Sequence, residues 1–172
     1  HAFPDLSILP VRGNLGTRLG KADGVEYDGV IVAAAGMVRL SRESEITEYL
    51  PADLCTPDAG QGALAVEARS SDTEIREMLS AIDHLPTNVT VTAEREFISA
   101  IGGGCRVPVA AYATLDGESL RVSTMAGLPD GSEMFRVEVI GDASDPRKTG
   151  KTAAEQLMNS GARDILYRDP SE

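Results

Sequence analysis

The residues Gly102-Gly103-Gly104-Cys105-Arg106-Val107-Pro108 place a thiol on a glycine-built turn between a helical pattern and a strand pattern. The helical pattern runs from Thr92 to Ile101, and a helix needs only one glycine beyond its last turn. The additional glycines leave the backbone open to the approach of a bulky group toward the sulfur. The helix dipole behind Cys105 disfavours a thiolate, while Arg106 beside it favours one. The sequence has two histidines, His1 and His84, and neither belongs to a Cys–His nucleophile pattern. Two cysteines and two scattered histidines have no metal-ligand spacing, so no metal site is expected. Cys105 is therefore open to two readings, an attachment point or an inert thiol. Cys55, among apolar and turn residues, reads as a small packing residue, and His84 as a polar cap or interface residue at a helix end.

Arginines supply the second kind of chemistry. Arg12 and Arg18 bracket Gly13-Asn14-Leu15-Gly16-Thr17, a loop that follows the apolar run Leu6–Val11 and enters a helix. Arg39 occupies the corresponding place after the next apolar run, Tyr27–Ala34. Guanidiniums at successive strand ends, next to helix N-termini, suit a ligand with several carboxylates, because each fork grips one bidentately. The alternative is that all three form surface ion pairs with the abundant acids. The loop lacks a Walker lysine and does not spell a dinucleotide fingerprint. Asp58-Ala59-Gly60-Gln61-Gly62 reads first as a turn, and only second as a site.

These side chains must be positioned by two kinds of architecture. The apolar runs Leu6–Val11, Tyr27–Ala34 and Ala63–Ala68, with helical spacing after the first two, predict parallel strands alternating with helices. Pro51 to Gly62 is rich in breakers and suits a hinge. Ser71 to His84 predicts a helix ending before Pro86. From Thr90 the pattern becomes helix, glycine turn, and three strands at Val107–Leu115, Ser119–Ala126 and Glu133–Ile140, joined by hairpin turns at Asp116-Gly117 and Pro129-Asp130-Gly131. A last helix from Thr149 to Met158 stops at Ser160-Gly161. The expected class is thus α/β followed by a small α+β domain.

Composition narrows the partners. The 172 residues carry a net charge of −11, and the 16 basic residues form no run. Nucleic acid is therefore not an expected partner. The bias to arginine, with only Lys21, Lys148 and Lys151 as lysines, and the excess of acid give a halophile-like surface. No apolar stretch approaches the length of a membrane span, and the first residues do not read as a secretion signal. A reducing cytoplasm follows as the expected compartment. The strand pattern begins abruptly near residue 7, so an N-terminal portion is expected to be missing.

Taken in order, several segments resemble the porphobilinogen deaminase (hydroxymethylbilane synthase) family nearly end to end. They are Val11-Arg12-Gly13-Asn14 with Thr17-Arg18-Leu19, Tyr27-Asp28 with Ala33-Ala34-Ala35-Gly36, Arg39-Leu40, Gly60-Gln61-Gly62-Ala63, Thr92-Ala93-Glu94-Arg95, Gly103 to Pro108, and Pro129-Asp130-Gly131-Ser132. The resemblance implies two α/β domains of the type II periplasmic-binding-protein kind and a third, α+β domain. On it, residues 1–56 are the latter part of domain 2, residues 57–84 the hinge and the segment returning to domain 1, and residues 85–172 the cofactor-attachment domain 3. It implies a dipyrromethane cofactor linked by a thioether to Cys105. The cofactor-binding set comprises Cys105, Gly104, Gln61 and the arginines Arg12, Arg18 and Arg39, which bind pyrrole acetates and propionates. The implied activity is a transferase that condenses four porphobilinogen molecules with loss of ammonia. The family's catalytic aspartate belongs to the portion expected to be missing, so no residue here is assigned as catalytic and the chain alone is expected to be inactive. The full-length enzyme is expected to be a monomer. Other readings are a non-catalytic anion-binding module, or a complementary half of a split enzyme that partners the missing portion.

Overall fold

A computed structural model describes residue 3, residues 5–102 and residues 109–167. The chain divides into two compact units, His1–Leu50 and Pro51–Glu172.

In the first unit, the loop after Arg12 enters helix α1, Leu15–Ala22, and a second short helix, α2, spans Ala34–Arg39. Asn14 caps α1 by accepting from the Thr17 amide at 2.9 Å, which satisfies one of the donors that a helix start leaves unpaired. A 3₁₀ turn at Glu43–Glu45 follows, with Arg42 paired to Glu45.

The second unit begins with turns and helix α3, Thr73–Ser80, capped by Asp72. Helix α4 follows at Leu85–Ile101. The order is then β1 Val109–Asp116, β2 Ser119–Gly127, β3 Met134–Asp142, α5 Pro146–Leu157, a π turn at Met158–Ala162 and α6 Arg163–Leu166. The strands form one antiparallel sheet in the order β1-β2-β3, with Ala113 opposite Val122 and Val122 opposite Val139. Gly117, at φ 58°, takes the first position of the two-residue β1–β2 loop, where a type II′ turn calls for glycine. Inward residues alternate along β2, Leu120, Val122 and Thr124 being buried between exposed or half-buried neighbours. Leu120 and Val122 share one core with Phe97 of α4 and Leu157 of α5, so both helices cover one face of the sheet. Phe97 is wholly buried, and truncating such a side chain to alanine costs about 3–5 kcal/mol. This is the expected α+β domain.

Two expectations are corrected. Helix α4 starts at Leu85 with His84 as its N-cap, rather than a preceding helix running on to His84. Proline is tolerated in the first helical turn, where its missing N–H has no partner to lose, so Pro86 opens a helix instead of marking the end of one. The apolar runs Leu6–Val11, Tyr27–Ala34 and Ala63–Ala68 form no strand among the described residues. Ile8 is 80 % exposed, Ile31 67 % and Leu64 79 %. A run of apolar residues announces a buried strand, but a ladder exists only where a neighbour supplies the other half of each hydrogen bond. Among the described residues no helix is long and apolar enough to cross a membrane.

Candidate functional site

In the first unit the arginine loop is built around Gly13. Its φ of 126° and a hypothetical Cβ 2.8 Å from the Thr17 methyl both restrict the position to glycine. The carbonyl of Gly13 accepts a 2.8 Å hydrogen bond from Arg18 Nε. That bond, one helical turn into α1, orients the guanidinium of a half-buried residue, whose terminal nitrogens have no partner among the described residues. Gly13, Asn14, Leu15 and Arg18 line a cavity of about 280 Å³ with Val32, Ala33 and Gly36. Gly36 lies in the first turn of α2, and a Cβ there would press on Leu15 at 3.3 Å. The cavity thus combines one oriented guanidinium with the N-terminal turns of α1 and α2, a surrounding that favours a carboxylate.

The other two predicted arginines are placed differently. Arg12 is exposed just ahead of Gly13, and Arg39 is exposed at the far end of α2. Neither is among the residues lining the cavity.

In the second unit, Gln61 is exposed on a pair of consecutive turns. Its amide donates to Asp58 O at 2.9 Å, and the Ala63 amide donates to Gly60 O at 3.1 Å. Gly60 at φ 75° and Gly62 at φ 84° fill the third positions, where positive φ is required of a type II turn. The Gly60 amide donates to Glu94 Oε2 at 2.7 Å, and the Ala113 amide of β1 donates to Glu94 Oε1 at 2.8 Å. Burial holds the Glu94 carboxyl above the usual range, and the two backbone donors oppose that shift without cancelling it. Glu94 belongs to the quoted Thr92–Arg95 segment, but its residue type on a helix did not mark it as a site. Its burial depends on partners 34 and 19 residues away.

Cys105 and Gly104 lie outside the described residues. The helix that leads to them is fixed at its end. Gly102, at φ 89°, caps α4 with its amide on Ser99 O, and the Tyr167 hydroxyl donates to Ile101 O at 2.9 Å. Cys55 is exposed rather than packed, because the turn at Pro51–Cys55 keeps it at the surface. His84 Nδ1 lies 2.8 Å from the Thr87 hydroxyl across the start of α4. A second, open cavity of about 330 Å³ between α4 and α5 is lined by Thr92, Arg95, Glu96, Ser99 and Arg147. There Glu96 is already occupied by Arg147 at 2.8 Å and Lys151 at 3.6 Å.

Comparison with known protein families finds two matches that between them cover most of the chain. A model described as porphobilinogen deaminase, dipyromethane cofactor binding domain, matches residues 1–77. A model described as porphobilinogen deaminase, C-terminal domain, matches residues 88–159.

Proposed function

The chain belongs to the porphobilinogen deaminase family, and on that basis we propose that it serves the stepwise condensation of four porphobilinogen molecules into hydroxymethylbilane, a linear tetrapyrrole. In each addition a carbon–carbon bond forms at the aminomethyl carbon of the incoming porphobilinogen, its carbon–nitrogen bond breaks, ammonia leaves, and a ring proton is given up. After the fourth addition water breaks the bond between primer and tetrapyrrole, supplying the product's hydroxyl and returning a proton to the primer ring. Dipyrromethane, when bound, supplies the ring carbon at which the first unit is added.

The observation that supports this assignment best is the Arg18 cavity. A guanidinium steered by Gly13 O, facing two helix starts, suits the acetate and propionate arms of porphobilinogen and dipyrromethane. Arg18 binds one such arm bidentately, and Arg12 and Arg39 take others. The Cys105 sulfur holds the cofactor through a thioether, with Gly104 leaving room beside it, and Gln61 offers a neutral amide to the ligand. A thioether does not exchange with thiols, so the attachment persists through repeated turnover. Cys105 is therefore a tether, and no carboxylate of this chain is assigned to the proton chemistry. That task falls to an aspartate in a further part of the enzyme. Residues 1–56 belong to a periplasmic-binding-type domain, residues 57–84 to the hinge and its return segment, and residues 85–172 to the attachment domain. The exposed Ile8, Ile31 and Leu64 fit this division, because further strands of such domains would cover them.

Intact mass of the denatured protein tests the assignment. The chain produced together with the rest of the enzyme should carry a mass increment of two pyrrole units, and Cys105→Ser should abolish it. An unmodified cysteine in the unaltered protein would defeat the proposal.

A further inference from the structure

Glu94 is an ionisable group that the proposed chemistry does not use, yet it is 5 % exposed and spans three pieces of structure. It sits on α4, Oε2 accepts from Gly60 in the Asp58–Gly62 turns, and Oε1 accepts from Ala113 in β1. No cation among the described residues pairs with it, so its burial is offset by the two backbone donors alone. Asp58, the other carboxylate of the turns, is engaged with the Ala59 amide at 2.9 Å. Ala59 also packs against the core. A turn built on two positive-φ glycines has little intrinsic preference for one pose, because glycine adopts many others at small cost. The Glu94 bond adds to one pose a fixed anchor from α4. On the same helix, Ile101 is seven residues further on, about 10 Å along the axis, where the chain passes into the segment that carries Cys105.

We propose that Glu94 is a positioning residue, its carboxylate locking the Gly60–Gly62 turn onto α4 so that Gln61 is presented to the pyrrole ligand in one pose. The inference rests on the proposed function for the ligand, but not for the lock. Glutamine at position 94 can accept through one oxygen only and presents an NH₂ to the second donor. Aspartate keeps both oxygens but is one methylene short.

Amide hydrogen exchange of the purified chain tests the lock without any ligand. In Glu94→Gln, the Gly60 amide should exchange about tenfold faster, as expected for a lost hydrogen bond to a charged acceptor, while Leu120 and Val122 in the sheet keep their rates. Unchanged exchange at Gly60 overturns the inference. So does a parallel rise at every amide, which marks a merely structural role. Should the variant not fold, the unaltered chain suffices: the Gly60 and Ala113 amide resonances should follow one shared titration, and two different midpoints overturn the lock. The ligand half is tested with porphobilinogen in a double-mutant cycle of Glu94→Gln and Gln61→Ala on the enzyme. Both single variants should weaken binding, and the double variant should be no weaker than the worse of them. Additive losses, or a silent Gln61→Ala, overturn it. Absence of porphobilinogen binding by the unaltered enzyme overturns this half together with the proposed function, whereas the exchange result stands apart from both.

Discussion

In the proposed reading Arg18 grips a ligand carboxylate and Glu94 fixes a turn. Arg18 has one donor committed to Gly13 O, so its fork is oriented before a ligand arrives. Arg18→Lys replaces a planar fork by a single ammonium that cannot both hold Gly13 O and grip a carboxylate bidentately. Porphobilinogen binding should weaken by about tenfold or more, measured by calorimetry on the enzyme. Unaltered affinity would remove Arg18 from the site. Glu94 makes a prediction about pH. Its carboxyl is held above the ordinary value by burial, so the folded chain binds the proton more readily than the unfolded one. The resulting stability is present in full below the unfolded value near 4.5 and is lost as pH rises through the raised folded value. Relative to Glu94→Gln, the unaltered chain should therefore lose stability over that interval. Urea midpoints of both proteins at several pH values measure it, and a pH-independent difference would contradict the assignment. The glycine loop between Arg12 and Arg18 could be read from the sequence as a candidate, but not which guanidinium would line a cavity, and of the three predicted arginines only Arg18 does so. Glu94 was not legible, since a glutamate in a helical pattern reads as a solvated face until its distant donors are known.

Elements behaved unequally. The α+β part could be read from the sequence, since β2 alternates cleanly and its turns carry glycine where positive φ is needed. The start of α4 could not, because Pro86 looks like a breaker unless the first helical turn is recognised. Nor could the fate of the apolar runs, whose ladder partners no local pattern names. The contact between α4 and α5 was equally hidden. A Cβ on Gly150 would run into the Ala93 carbonyl, so glycine permits these two helices their close approach. Gly150→Ala should destabilise the second unit by about 1–3 kcal/mol despite alanine's better helix propensity, read as a lower melting temperature. A higher melting temperature would mean that the helices part freely there.

At the scale of the whole molecule, stability is concentrated in the second unit, where the sheet and its two covering helices share one core. Native-state hydrogen exchange should find the slowest amides at Phe97, Leu120, Val122 and Ala153, with Leu15–Ala22 and Ala63–Ala68 exchanging early. Equal protection throughout would show that the units open together. The sheet of this unit has two edge strands, and such edges invite other chains to add a strand. On β1 the Ala113 amide, which points away from β2, is already taken by the carboxylate of Glu94. An incoming backbone carbonyl that sought that donor would have to displace the carboxyl oxygen that already accepts from it. The same side chain that is proposed to steady the Gly60 turn therefore also withholds one mid-strand donor from any chain that would add a strand along β1.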